Sequence, residues 1–373
     1  MVKVLIDIHY LQVAQTGIKT YIDDLIEISK HSNSEIEYYV APAVGLVHEK
    51  RFYKKGGLIR AMLFHIATFW WFAIGLQREI RRVGADIVVS PNYLGPITRN
   101  VKKLVIFHDA FFWINRTHYN TFWLRYFQIL IGLGLKGDAE IVTVSNHSKQ
   151  KIKEHAKTKN KINVLWSIGP QRVDNLESEP ISDLQKGAYL LHVGVLEKRK
   201  NLLTLIKAFR IFKDQHQNSQ MKLVLAGMPG PKRKLDDSDK INRMIAELNL
   251  EGDVLLPGYV DTEEKESLYA NALAYVFPSF SEGFGYPILE AFSFGLPVII
   301  SMDGALTEIG GDAVLRADTM DVGDWAKKIE FVWTQEDVRE SLRKKGYERL
   351  ELFSRENNLK RFEQLLLNSV NGG

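Results

Sequence analysis

Ala274-Tyr275-Val276-Phe277-Pro278-Ser279-Phe280-Ser281-Glu282-Gly283-Phe284-Gly285-Tyr286-Pro287-Ile288-Leu289-Glu290 reads as one strand, a turn and the start of a helix. The four apolar residues at 274–277 are a short run of the kind buried in a parallel sheet. Two glycines then open the backbone, and Pro287 marks a helix beginning, because the first helical position has no use for an N–H. Strand, glycine turn and helix make the repeating unit of parallel α/β sheets.

The same alternation extends outward in both directions. Candidate strands lie at 189–193, 222–226, 254–256, 274–277 and 297–300, and in the first half at 2–6, 36–40, 86–90, 104–107 and 140–144. Two sheets of about five strands are expected. Residues 167–187, with Gly169, Pro170, Pro180 and little periodicity, read as the linker between them. A chain of 373 residues suits two domains rather than one core.

With 45% hydrophobic and 25% charged residues the composition is that of a soluble globular protein. There is no cysteine, which excludes disulfides, thiolate nucleophiles and Cys-ligated metals. Met1 to Asp7 reads as a buried first strand rather than a leader peptide, because an acid ends a short apolar run; a cytoplasmic location is expected.

The net charge of +4 conceals an asymmetry: residues 1–166 carry 23 Lys+Arg against 13 Asp+Glu, a balance of +10, and the remainder is −6. A basic half points to an anionic partner, nucleic acid or a membrane surface, or else to a solvated face with no partner. Residues 61–77 are uncharged and contain Phe69-Trp70-Trp71-Phe72. They fall short of the roughly 20 residues a span requires, so a buried or interfacial helix is expected. Phe111-Phe112-Trp113 and the aromatic stretch 119–127 around Arg125 lie in the same half. Basic and aromatic residues together favour docking on anionic lipid over nucleic acid, with an aromatic-rich core as the other reading.

Chemistry gathers at three places. Around Gly283, Phe284 and Gly285 the backbone can approach a ligand closely and turn N–H groups onto an anion, and the helix that follows adds its positive end. Glu282 before that helix and Glu290 in its first turn border one pocket, where carboxylates accept hydrogen bonds from sugar or ribose hydroxyls. A glycine turn with an acid complementing a helix dipole is the structural alternative. The second place is Gly194-Val195-Leu196-Glu197-Lys198-Arg199-Lys200-Asn201-Leu202, whose three cations sit at the C-terminal edge of a parallel sheet, where open α/β folds bind ligands. Cations there can hold the charge of a departing diphosphate, or simply form a solvated turn. The third place is His108-Asp109 after the strand at 104–107, where an imidazole can bond a sugar hydroxyl or a carbonyl or be structural. Gly17 precedes a helix-like run at 21–28, and its N–H could face phosphates.

The order Thr16-Gly17-Ile18, His108-Asp109, Val144 to Ser148, Gly194 to Asn201 and Phe277 to Pro297 resembles the retaining glycosyltransferases of family four. That resemblance covers nearly the whole chain, and the block from Phe277 is its most specific part. It implies the GT-B architecture: an α/β fold of two Rossmann-like domains with parallel sheets facing each other across a cleft. The expected division is an acceptor-binding domain at 1–168, a nucleotide-sugar-binding domain at 169–355, and a helix at 356–373 returning to the first.

By the same resemblance Glu290 holds the nucleotide ribose, Glu282 the donor sugar hydroxyls, and Lys200 with Arg199 the diphosphate. Gly17 and the Gly283 to Gly285 backbone complete the cradle, His108 sits beside the transferred sugar, and Gly258-Tyr259-Val260 beside the base. Glu282, His108 and Lys200 are thus the expected catalytic residues. Many members carry Arg where this chain has Val195, which leaves Lys198 or Arg199 to compensate. The Asn-Gly turn that often follows the first domain is replaced by Ser167-Ile168-Gly169-Pro170.

The implied reaction uses a nucleoside diphosphate sugar as substrate, with no cofactor and no metal. Binding to the second domain and closure of the cleft would bring His108 and Gly17 to the donor. GDP-mannose is expected ahead of UDP-sugars and dTDP-rhamnose, with a saccharide or lipid-linked saccharide acceptor, contact with anionic membrane through the basic domain, and no nucleic acid. A nucleotide-sugar epimerase or phosphorylase, a paired-carboxylate glycosidase and a catalytically silent binding subunit are the alternatives.

Overall fold

The computed structural model describes residues 1–14, 16–43, 58–114, 116, 120–174, 184–230 and 233–371. The chain divides into two units, Met1–Ile168 with Arg355–Gly373, and Gly169–Ser354. Of the stretch read as a linker, 175–183 lies outside the described residues, as does Tyr119 of the second aromatic cluster.

The first unit is built on six parallel strands, β1 Val2–Asp7, β2 Ile36–Ala41, β3 Ile87–Ser90, β4 Lys102–Phe107, β5 Ala139–Thr143 and β6 Ile162–Val164, in the order β2-β1-β3-β4-β5-β6. Every pairing is parallel. β1 is flanked by β2 on one side and β3 on the other, so the winding direction reverses there, and such a switch point opens a crevice at the C-terminal strand ends. Helix α1, Thr16–Ser29, follows β1. The C-terminal helix Arg355–Asn371 belongs to this unit. Its Phe362 ring stacks on Tyr38 at 6.5 Å, and Ser369 Oγ donates to Glu140 Oε2 at 3.3 Å.

The uncharged stretch at 61–77 is not one helix. Helix α2, Leu58–Trp70, passes through a single π-turn at Trp71–Gly75 into α3, Leu76–Val83. The wider turn lets Trp71 Nε1 donate to Asp7 Oδ1 at 3.0 Å, and a Cβ on Gly75 would meet the Trp71 ring at 2.6 Å. Phe72 and Leu76 are buried while Leu63, Ile66, Trp70 and Ile74 face solvent. Helix α4, Thr121–Gly134, is capped by Asn120, whose Oδ1 accepts from Phe122 N and Trp123 N. It buries Leu124, Phe127, Leu130 and Ile131 and leaves Phe122 84% and Ile129 61% exposed. Among the described residues no helix is long and apolar enough to cross a membrane.

The second unit has β7 Tyr189–Val193, β8 Lys222–Ala226, β9 Val254–Gly258, β10 Ala274–Phe277, β11 Val298–Ser301 and β12 Val314–Ala317, in the order β12-β11-β10-β7-β8-β9. Counted within the unit, this is the doubly wound 3-2-1-4-5-6 order of dinucleotide-binding folds, and its switch point lies between β7 and β10. Helix α5, Leu202–Gln215, buries Leu205, Ile206, Phe209 and Phe212 in a core that also holds the fully buried Trp325 of helix Val322–Thr334. Each such side chain contributes about 1.5–3 kcal/mol of transfer free energy.

Each sheet therefore has six strands rather than about five. The two additions, β6 and β12, are edge strands of three and four residues, broken by Asn163 and Arg316, too short and too polar to form a recognisable apolar run.

Candidate active site

The C-terminal ends of β7 and β10 bring two distant loops together at the switch point of the second unit. After β10, residues 278–285 run to helix α6, Tyr286–Ser293. After β7, the chain makes a 3₁₀ turn at Lys198–Lys200. Phe280 N donates to Arg199 O at 2.9 Å, and Arg199 Nη1 donates to Ser281 O at 2.9 Å. Asn201 fastens the turn from below, donating through Nδ2 to Pro278 O and Thr319 O.

This stitching sets one carboxylate against two cations. Glu282 accepts from Lys200 Nζ at 2.9 Å through one oxygen and pairs with Arg199 at 2.5 Å through the other. Arg199 is also paired with Glu197 at 2.8 Å. Burial opposes ionisation of Glu282, but Arg199 and Lys200 outweigh it and hold its pKa down to about 2. Burial lowers the pKa of Lys200, against the pull of Glu282. Asp303 steadies the loop: its Oδ2 accepts from Glu282 N at 3.3 Å and caps the helix Gly304–Gly310.

Gly285 has φ +109°, and a Cβ there would lie 2.8 Å from Leu306, so this position demands glycine on both counts. Phe284 is buried, with its ring 5.9 Å from Phe353, so it offers a ligand its backbone and not its side chain. Helix α6 begins at Tyr286, one residue earlier than expected, which puts Pro287 second and moves Glu290 from the first turn to the second. Glu290 is held by helix Thr262–Asn271: Lys265 Nζ donates at 2.7 Å and Tyr269 OH at 3.0 Å. Both carboxylates are thus fixed by partners from elsewhere in the chain. Tyr259 is 73% exposed and Val260 half-buried, in the turn between β9 and the helix that carries Lys265. Lys198 is exposed.

Residues 174–349 match the family model described as Glycosyl transferases group 1. The second unit is a glycosyltransferase group 1 domain. The chain is 29% identical over 275 residues to O-antigen chain mannosyltransferase B of Escherichia coli, covering 72% of this chain and 70% of that protein. It is 26% identical over 284 residues to O-antigen chain mannosyltransferase RfbU of Salmonella typhimurium, covering 74% and 72%. In fold it is similar over 100% of both chains to a sucrose-phosphate synthase from Thermosynechococcus elongatus, with a TM-score of 0.68 at 18% identity. The two-domain α/β fold is of the GT-B class of glycosyltransferases.

Of the residues singled out in the sequence, the glycosyltransferase group 1 domain gathers Arg199, Lys200, Glu282 and the 283–285 turn. His108 and Gly17 belong to the other unit. His108 follows β4 and donates from Nε2 to Pro91 O at 2.8 Å, with Tyr21 edge-on at 5.2 Å. Burial lowers its pKa, so the ring is neutral and Nδ1 is the acceptor nitrogen. Gly17 is the second residue of α1 rather than a residue ahead of it, and a Cβ there would meet nothing within 4 Å, so packing does not demand glycine.

Sequence reasoning missed Lys265, Tyr269, Asp303 and Gly227. A Cβ on Gly227 would lie 1.9 Å from Gly194 O, so the β7 and β8 ends approach as closely as backbone can. The strand-then-glycine pattern of Val193-Gly194 and Ala226-Gly227 is the one signal that pointed there.

Proposed function

We infer that this chain transfers a hexosyl group from a nucleoside diphosphate sugar to a saccharide or lipid-linked saccharide acceptor in surface polysaccharide synthesis, with retention of the anomeric configuration. The observation that carries this reading is Glu282 held between Lys200 and Arg199 at the switch point, 2.9 and 2.5 Å away. Glu282 there occupies the place of a ligand's charge, on groups that bind oxyanions well.

The diphosphate lies on Lys200, Arg199 and the N–H groups of Gly283 to Gly285. Released from its cations, Glu282 accepts from hydroxyls of the donor sugar, and Glu290 accepts from the ribose. Tyr259 and Val260 border the base. For Gly17 and His108, both in the first unit, the family resemblance supplies the proposed roles: a backbone N–H for phosphate and a hydrogen bond to the transferred sugar. The bond from the anomeric carbon to the β-phosphate oxygen breaks as the bond to the acceptor oxygen forms. The acceptor's proton leaves on the departing diphosphate, whose charge the cations stabilise without a metal.

GDP-mannose is the donor of choice because the relatives named above are O-antigen mannosyltransferases. The acceptor's lipid, and a peripheral place on anionic membrane facing the cytoplasm, are supported by the apolar side chains exposed on α2 and α4 in a basic unit.

A thermal-shift screen against GDP, UDP and dTDP identifies the base, since a ligand of the folded state raises the melting temperature. Lys200→Ala and Glu282→Ala are each expected to lower turnover at least 100-fold; wild-type turnover in both would overturn the assignment. Turnover unaffected by a chelator is expected, and nucleotide release without acceptor would favour the epimerase reading.

A further inference from the structure

β7 ends in Leu191-His192-Val193, with Gly194 next, one strand across from the loop that carries Glu282. The His192 side chain is completely buried, and its Nδ1 lies 2.9 Å from Val276 O. A carbonyl can only accept, so Nδ1 carries the hydrogen. Burial, with Lys200 nearby, lowers the pKa to about 3. The ring is therefore neutral, and Nε2 presents a bare lone pair.

That lone pair has no hydrogen-bond partner among the described residues. A buried acceptor left unpaired is costly, and such an atom in a folded protein calls for an explanation. The direction in which it faces supplies one. A Cβ on Gly194 would lie 3.3 Å from His192 Nε2, 3.5 Å from Lys200 Cε and 3.7 Å from Lys200 Nζ. The unpaired nitrogen and the ammonium thus border the same small space, which Gly194 leaves open by having no side chain. Lys200 Nζ also lies 4.8 Å from the centre of the Phe277 ring, which limits where its three hydrogens can point.

We propose that His192 is a positioning residue for Lys200: when a nucleoside diphosphate draws Lys200 from Glu282, His192 Nε2 accepts one ammonium hydrogen and aims the other two at the diphosphate. The proposal rests on the reading of Lys200 as a diphosphate ligand. A lysine is a point charge on a flexible stem and gains directionality only from neighbours. A neutral acceptor supplies that direction without neutralising the charge, which a second carboxylate would do.

The test is a double-mutant cycle on the intact chain, read by titration calorimetry with the nucleoside diphosphate that stabilises the wild type and with its parent nucleoside. His192→Phe keeps the ring and its stacking on Tyr275 but removes the lone pair and, equally in both backgrounds, the Nδ1 donation to Val276 O. It is expected to weaken the diphosphate about tenfold while leaving the nucleoside within twofold. In a Lys200→Met background the same change should alter diphosphate affinity less than twofold, because the group it orients is gone. Equal losses in both backgrounds, or no loss in the first, would show that His192 only packs the strand and overturn the proposal. Should His192→Phe fail to fold, His192→Asn, which can still donate to Val276 O, carries the same cycle. A wild type that binds none of GDP, UDP or dTDP refutes the parent reading as well, and so is distinguishable from a failure of the cycle.

Discussion

Replacing Glu282 by Gln removes the only negative charge that Lys200 touches directly among the described residues and leaves the ammonium buried. The pair is well shielded, with side-chain exposures of 10% for Lys200 and 12% for Glu282. Breaking a buried ion pair by removing one partner costs about 3–5 kcal/mol. The lower end applies, because Arg199 keeps Glu197 at 2.8 Å and Ser281 O at 2.9 Å, so the loss falls mainly on Lys200. For a unit of this size each kcal/mol moves the midpoint by about 2–4 °C, which gives a fall of about 6–12 °C for about 3 kcal/mol. Lys200→Met should cost much less, since Glu282 then still has Arg199. Differential scanning calorimetry of the intact chain reads both. A second measurement tests the same geometry: with Glu282 neutralised Lys200 loses its carboxylate while Arg199 keeps Glu197, so the nucleoside diphosphate should raise the midpoint of Glu282→Gln more than that of the wild type.

The pH dependence has a definite sign. Glu282 is depressed from 4.5 to about 2, so its stabilisation is complete above the unfolded value and is lost as pH falls through the folded one. The gap between wild type and Glu282→Gln should therefore narrow between about pH 4.5 and pH 2. A Glu282→Gln midpoint within 2 °C of wild type at neutral pH, or a larger loss in Lys200→Met, would refute the assignment of Glu282 as the shared anion.

Three further outcomes are expected. Gly227→Ala, whose Cβ would lie 1.9 Å from Gly194 O in a backbone with φ +157°, should cost on the order of 3 kcal/mol, seen as a lowered urea midpoint; a neutral result would mean the β7 and β8 ends separate freely. Asp7, buried at the end of β1 with its pKa pushed up to about 7 by desolvation, weakens the fold as pH rises from about 4 to 7. Asp7→Asn, which retains an acceptor for Trp71 Nε1, should therefore be more stable than wild type above pH 7 by a few kcal/mol at most, with the advantage vanishing near pH 4. Phe122→Asp with Ile129→Asp should reduce co-sedimentation with vesicles containing anionic lipid at least fivefold while leaving nucleotide binding intact; unchanged sedimentation, or a concentration-dependent dimer abolished by the pair, would remove the membrane reading.

Much of the fold was legible in the chain itself. β7, β8 and β10 match the expected runs residue for residue, because strands buried on both faces of a parallel sheet must be uninterrupted apolar segments closed by turns. The turn at Gly283 to Gly285 and the acids beside it were legible for a similar reason, since a close backbone approach and a helix start each demand particular residues. Local pattern could not specify partners. Glu290 owes its setting to Lys265 and Tyr269, 25 and 21 residues earlier, and the unpaired nitrogen of His192 exists only because β7 lies beside β10, 84 residues on. Sequence alone determined which segments become strands, turns and helices, through short-range periodicity and steric preference. The order in which the strands lie down was decided by tertiary packing, and with it which charges meet, because hydrogen-bond pairing between strands carries no record of the distance along the chain.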